Sequence, residues 1–173
     1  MLSTTLIMAV FLASTMTTNL ALVILSLWWG STAIIDFVVV PTIFSVINDF
    51  FNAGELGMTL FKKFNVLELL FALPLLVFEW RAKNKVTSVG VFIAGIIILV
   101  YITYLTPKIE ELSIWWKEAD SQGIMGINGV KDIQQEHQFF HRLYVTLDTV
   151  KLLILSSVLG FKLFRRTPIH SHA

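Results

Sequence analysis

The chain has 173 residues, of which 55% are hydrophobic and only 14% are charged, whereas soluble domains carry about 25% charged residues. Its apolar residues form stretches that approach about 20 residues, the length needed to cross a bilayer, so an ordinary soluble domain is excluded. A net charge of +1 gives no basis for binding nucleic acid, and the absence of cysteine excludes disulfides and thiolate metal sites.

The first apolar segment, residues 6–47, is too long for one ordinary span. We predict a single tilted span at about residues 20–47, preceded by an interfacial lead or a helical extension. Two spans that break near Asn19 are the alternative. Because the first charged side chain is Asp36, no basic region precedes the apolar segment, and no cleaved signal peptide is expected.

Three further spans are predicted along the chain, at about residues 60–80, 88–105 and 139–164. The breakers Gly54 and Gly57 predict a loop over residues 48–57 before the second span, and Thr106-Pro107 is expected to end the third. Residues 108–136 form a polar outer segment. Its first part spaces Ile109, Leu112 and Trp116 at helical intervals and predicts a short interfacial helix. We therefore predict an all-α, integral membrane four-helix bundle, with residues 1–173 as one transmembrane domain.

The basic residues predict the orientation of this bundle. One group follows the second span at Arg81, Lys83 and Lys85, and another follows the last span at residues 162–166. Cytoplasmic loops carry an excess of lysine and arginine. Both groups are therefore predicted on the cytoplasmic side, together with both termini, and residues 108–136 on the outer side.

Four ionisable side chains fall well inside the predicted spans: Asp36, Glu68, Asp148 and Lys151. A charge at the bilayer centre costs about 3 kcal/mol or more, so such groups face the bundle interior and find partners. Each lies about ten residues from the outer end of its span at about 1.5 Å per residue. We predict that the four meet near one level of the membrane.

The last span carries a polar stripe of His137, His141, Tyr144, Asp148 and Lys151, whose spacings of three and four place them on one helical face. The functional interpretation is a pathway for a cation or protons, formed by Asp36, Glu68, His141, Tyr144, Asp148 and Lys151. The structural interpretation is a network that holds the spans in register. One lysine cannot neutralise three acids, so the surplus carboxylates are expected to be protonated or to bind a cation.

His137 and His141, four residues apart, resemble half of a metal site, with Glu136 or Asp132 as candidate oxygen ligands. The alternative is an interfacial helix end with hydrogen-bonded imidazoles. No nucleophile elbow, phosphate-binding loop or dinucleotide fingerprint is present. The sequence therefore predicts no cofactor, allows a bound cation, and gives no positive sign of an enzyme.

Several short motifs resemble one known family. They are Trp29-Gly30, Phe37, Pro41, Phe44, Ala53-Gly54 and Leu60-Phe61 near the start, then Tyr104-Leu105-Thr106-Pro107-Lys108-Ile109, and Phe140-His141-Arg142-Leu143-Tyr144-Val145. The resemblance is to the bacterial membrane family of domain of unknown function 4149, which is similar to human transmembrane protein 205 and loosely to CopD-like proteins. It implies a four-helix fold in the bacterial inner membrane, adds weight to cation handling, and singles out His141 by position.

Three functional hypotheses follow. The first is a small transporter or channel-like protein for a cation or protons, working in the lipid bilayer as a homo-oligomer. The second is an accessory or structural subunit of a larger membrane complex, with Trp115 and Trp116 as its docking surface. The third is a membrane enzyme or a metal or cofactor binder that uses His137 and His141. None of them involves nucleic acid.

Overall fold

The computed structural model describes residues 2–123 and 128–165. This part of the chain is 94% helix and contains no strand. Three of its helices are long and apolar enough to cross a membrane, namely Met16–Val46, Lys85–Ser121 and Gly129–Phe164. The predicted all-α class is confirmed, and the protein is an integral membrane protein.

Four helical segments follow one another. The first comprises α1 (Leu2–Ile34), a π-helical turn (Ile35–Val39) and α2 (Val40–Val46), and the second is α3 (Phe50–Arg81). The third comprises α4 (Lys85–Val100), a second π-helical turn (Tyr101–Leu105) and α5 (Thr106–Ser121), and the fourth is α6 (Asn128–Phe164). Because α1 passes through Asn19 without interruption, the alternative of two spans breaking there is not observed.

The segments pack around a common axis, each against two neighbours. α1 packs on α3 and α6, and α4 packs on the same two helices from the opposite side. α5 extends the contact with α6 beyond α4. Towards the α3–α4 turn the centre is filled by fully buried apolar side chains: Leu25, Trp28, Leu75, Ile98 and Leu155. This apolar core closes one half of the bundle.

The predicted loop over residues 48–57 is wrong, because only residues 47–49 lie outside a helix there. Asp49 caps α3, and its side chain accepts a hydrogen bond of 2.8 Å from the backbone N–H of Asn52. Such a cap satisfies one of the free N–H groups of the first turn. Gly54 and Gly57 are consequently helical, and α3 is longer than the predicted span of about residues 60–80.

The helix of the third predicted span does not end at Thr106-Pro107 but continues as α5. A proline within a helix removes one hydrogen bond and its ring clashes with the carbonyl four residues earlier. Here the wider π-helical turn precedes the proline, and the N–H of Thr106 donates to the carbonyl of Tyr101. Pro41 has the same arrangement, because the N–H of Val40 donates to the carbonyl of Ile35.

The predicted interfacial helix is therefore not a separate element. It forms α5, which continues α4 and ends near Gly123, whose φ is +68°. α6 begins at Asn128, well before the predicted start at about residue 139. Most of the predicted outer segment is thus helical. Residues 124–127, as well as Arg166 of the predicted basic tail, lie outside the described residues.

Gly90 permits the close approach of α4 and α6. A Cβ atom at this position would lie 2.6 Å from Cγ2 of Val158. We expect Gly90→Ala to lower the free energy of unfolding by about 1–3 kcal/mol, the usual cost of overpacking. Thermal unfolding in detergent measures this effect.

Gly95→Ala is the matched control on the same helix, because a Cβ there would meet nothing within 4 Å. This substitution should leave stability unchanged or raise it by up to about 1 kcal/mol through helix propensity. Equal melting temperatures for the two variants would contradict the close approach at Gly90.

Candidate functional site

A buried lysine lies at the centre of the candidate site. The side chain of Lys151 on α6 is 1% exposed. Its Nζ lies 2.7 Å from Oε1 of Glu68 on α3 and 2.5 Å from Oδ1 of Asp148, one turn earlier on α6. The ammonium also lies over the ring of Tyr101 on the third segment, 5.2 Å from its centroid. Lys151 thus joins α3, α6 and the second π-helical turn.

Glu68 connects this centre to α1. Its Oε1 accepts hydrogen bonds from Nε1 of Trp28 at 3.0 Å and from Oγ1 of Thr32 at 3.1 Å. Trp28 and Thr32 are four residues apart, so both face α3 from the same side of the helix. Oε2 of Glu68 is buried and has no hydrogen-bond partner in the described part of the chain. This oxygen remains available to a proton, a water molecule or a cation.

Hydrogen bonds and a pair of stacked rings extend the polar network from Asp148 towards α5. The hydroxyl of Tyr101 lies 3.4 Å from Oδ1 of Asp148, and its ring stacks on Tyr144 with centroids 4.1 Å apart. The hydroxyl of Tyr144 donates to Oδ1 of Asn65 at 3.1 Å. Nδ2 of Asn65 in turn donates to Oγ1 of Thr106 at 3.2 Å. These buried groups are satisfied by one another, which keeps their side chains in fixed positions.

Asp36 lies on the first π-helical turn, and its carboxyl group is within hydrogen-bonding reach of Asp148. It is only partly buried, whereas Glu68 is fully buried. Glu68 and Asp148 therefore contact the single amino group of Lys151, and Asp36 adds a third carboxyl group beside Asp148. Two carboxylates this close repel each other unless they share a proton or a cation. The cluster as a whole has three carboxyl groups and one amino group.

A cavity of about 1340 Å³ leads to Asp36 and Asp148 from the end of the bundle that carries α5. Glu68 and Lys151 do not line it. Apolar and aromatic side chains form most of its wall, including Phe37, Phe44, Phe50, Phe51, Phe61 and Trp116. The apolar core beyond Trp28 closes the other direction. The cavity therefore ends at the two aspartates instead of passing through the bundle.

The cavity has a side opening between α2 and α6. Past the first π-helical turn, α2 packs on α3, but within the described chain no Cα atom of α2 comes within 8 Å of one in α6. Val40 and Phe44 line one edge of the gap, and Val145 and Thr149 line the other. Phe44 and Val145 are 44% and 50% exposed, respectively. We call this gap the α2–α6 slot.

His137 and His141 line the cavity near its mouth, with parallel rings 6.3 Å apart. Nε2 of His137 forms a 3.0 Å hydrogen bond with Oγ of Ser113. Glu136, a predicted oxygen ligand, instead forms an ion pair with Lys108 at 3.5 Å. Among the described residues, no three His, Asp or Glu side chains are grouped so as to hold a metal ion.

The structure thus brings Asp36, Glu68, Asp148 and Lys151 together and places Tyr144 beside them. His141 lies apart from this cluster, about two turns before Asp148 on α6 at about 3.6 residues per turn. Trp116 is 9% exposed and packs on Phe50 and Phe51. It therefore cannot form the predicted docking surface with Trp115, because only Trp115 is exposed.

A second buried ion pair was missed by the sequence analysis. Nζ of Lys162 on α6 lies 2.5 Å from Oε1 of Glu79 on α3, and Thr87 on α4 donates a hydrogen bond to the other oxygen of Glu79. Glu79 is 1% exposed. Both charges lie near the predicted ends of their spans, where charged side chains usually reach the headgroups. Their positions in the sequence therefore gave no reason to pair them.

Comparison with known proteins gives one match. The model of a family described as Domain of unknown function (DUF4149) matches residues 23–114, which is more than half of the chain. No curated protein and no solved structure matches the chain. The matched region contains Asp36, Glu68 and Tyr101 but ends before α6.

Proposed function

Since the chain belongs to the DUF4149 family, whose description names no activity, we propose a function from the geometry of its own polar cluster: it binds a cation at Asp36 and Asp148 and moves it across the membrane in exchange for protons. The observation that carries this proposal is the surplus of carboxyl groups over Lys151 at the closed end of a large cavity. Ionisable residues inside spans commonly mark ion and proton pathways.

The roles within the cluster follow from its contacts. Asp36 and Asp148 reach the cavity and are the groups that a cation can meet directly. Glu68 lies behind them, bridged by Lys151, with one oxygen free of hydrogen bonds in the described chain. Protonation of this group changes the charge that Lys151 compensates. Tyr144 and His141 line the approach along α6.

The number of spans and their orientation in the membrane are part of the proposal. We take α3 as the fourth span because α1 and α4 both pack on it. Unlike the other three segments, α3 has no apolar stretch of 18 residues with two or fewer charged side chains. Both termini are then cytoplasmic in the bacterial inner membrane, the cavity faces outwards, and residues 1–173 form one domain. A homo-oligomer is the proposed working unit, because the apolar core of one bundle closes the path beyond the cavity.

Proton flux into liposomes tests this mechanism. An outward gradient of potassium, sodium or tetraethylammonium ions, each tested in turn, drives proton entry by exchange into vesicles that contain a pH-sensitive dye. We expect wild-type protein to acidify the lumen faster than protein-free vesicles do. Asp148→Asn should reduce the rate to that of protein-free vesicles, because it removes the carboxyl group that contacts Lys151 and the cavity.

Glu111→Gln is the matched control. It also removes one carboxylate, but this side chain is 58% exposed and pairs with Lys108 outside the cavity. Its flux should equal that of the wild type. Wild-type flux in both Asp148→Asn and Glu68→Gln would overturn the proposed function.

A further inference from the structure

We propose that the cavity binds an amphiphilic organic cation, such as a hydrophobic amine or a quaternary ammonium or phosphonium compound, and that this ligand enters from the bilayer through the α2–α6 slot. The inference rests on the proposed function and names the class of its substrate. Four features of the described residues support it: the size of the cavity, its wall, its charge and its side opening.

The size and the donor set argue for an organic ligand. Pockets for drug-sized molecules have volumes of about 300–1,000 Å³, and this cavity has about 1340 Å³. A proton or a single metal ion needs no such space. Metal ions also require several converging ligands, and within the described ranges no three acidic or histidine side chains converge in that way.

The wall of the cavity suits an apolar body with a positive charge. Phe50 and Phe51 lie with their ring centroids 5.4 Å from that of Trp116, and Phe61 lies 5.2 Å from Tyr144. Aromatic faces attract cations, and the attraction grows when the cation is desolvated. The same rings bury apolar ligand surface, which is favourable by about 25 cal/mol per Å².

The charge of the lining selects a cation over an anion. Five carboxyl groups line the cavity, those of Asp36, Glu55, Glu110, Glu118 and Asp148, against the two basic side chains of Lys117 and Arg142. Ion pairs compensate three of these carboxyl groups, those of Glu55 with Lys117, Glu110 with Lys62 and Asp148 with Lys151. Asp36 and Asp148 line the cavity beside the buried cluster, in which three carboxyl groups accompany one lysine. A cation would balance the remaining carboxylate, whereas an anion would be repelled by it, and the repulsion is strong in a low-dielectric site.

The α2–α6 slot provides a route that only an amphiphile can use. It lies between two helical segments that are apolar enough to cross a membrane, and Phe44 and Val145 line its two edges. A molecule already dissolved in the bilayer reaches this opening without crossing the polar end of the bundle. Small hydrophilic cations do not partition into hydrocarbon. They would have to enter the cavity at the end of the bundle that carries α5.

Tetraphenylphosphonium and tetraphenylborate provide a matched test, because they share the same apolar shell and carry opposite charges. Equilibrium dialysis against the full chain in phosphatidylcholine nanodiscs, corrected for protein-free nanodiscs, measures binding. We expect saturable binding of tetraphenylphosphonium with an affinity at least about tenfold above that of tetraphenylborate, equivalent to about 1.4 kcal/mol. The double variant Asp36→Asn, Asp148→Asn should lose this preference, and Glu111→Gln should keep it.

Thr149→Trp tests the entrance without altering the charged cluster. Thr149 is exposed at the edge of the slot, and its hydroxyl donates only to the carbonyl of Val145 on the same helix. A bulky ring there should slow the uptake of tetraphenylphosphonium. Equal affinities for the two ions, or an unchanged preference in the folded double variant, would overturn the inference. If proton flux still depends on Asp148 in that case, the proposed function stands and only the substrate class fails.

Discussion

Replacing Lys151 by methionine should lower the free energy of unfolding by about 3–5 kcal/mol, the usual cost of removing one partner of a buried ion pair. Lys151 is 1% exposed and compensates both Glu68 and Asp148. Without the ammonium, these carboxylates must either remain charged in a low-dielectric interior or take up protons. Denaturant titration of the purified protein in detergent, followed by circular dichroism, measures the loss.

The triple variant Lys151→Met, Glu68→Gln, Asp148→Asn removes the charges together and should recover most of that stability. Replacement of a whole buried ion cluster by neutral groups is often neutral or stabilising. Lys62→Met is the exposed control, because Lys62 and Glu110 are 45% and 39% exposed, and exposed pairs contribute about 0–1 kcal/mol. Equal losses for Lys151→Met and Lys62→Met would show that the cluster does not hold the helices together.

The second large effect is expected at the other buried pair. Lys162→Met should cost about 3–5 kcal/mol, because it leaves Glu79 buried without its cation. Thermal unfolding of the variant and the wild type in the same detergent measures this loss.

Glu79→Gln should cost clearly less than Lys162→Met. The amide still accepts the hydrogen bond from Thr87, and Lys162, near the end of α6, can extend its flexible side chain towards water. This asymmetry separates an electrostatic role from simple packing. Equal costs for the two substitutions would indicate packing alone.

Much of this architecture could be predicted, because long apolar stretches form membrane-spanning helices and charged side chains within them must face the interior of the bundle. The long apolar stretches predict the helices, and the depth of Asp36, Glu68, Asp148 and Lys151 predicts that they avoid lipid. The family was also recognised from short motifs around Trp29-Gly30 and Pro41. Helix ends were less predictable, because an N-cap such as Asp49 outweighs two glycines whose effect on a packed helix is small.

The π-helical turns could not be derived from the prolines alone, since Thr106-Pro107 is equally compatible with a helix end. A subtler signal was present in the third segment. Its buried residues alternate at spacings of three and four until Tyr101, Leu105 and Ile109 follow at two successive spacings of four. That extra residue marks the wider turn. The cavity was beyond sequence reasoning, because it depends on how far α2 diverges from α6.

The Asp148–Lys151 pair also bears on how the chain is assembled in the membrane. The two charges belong to one helix and lie one turn apart, so they compensate each other while α6 enters the bilayer. α3 has no such internal partner for Glu68. On the four-span arrangement proposed above, α3 would be inserted before α6 is synthesised, so Glu68 would enter the bilayer without its cation. The ion pair with Lys151, and with it the activity of the site, would then form only when α6 is inserted.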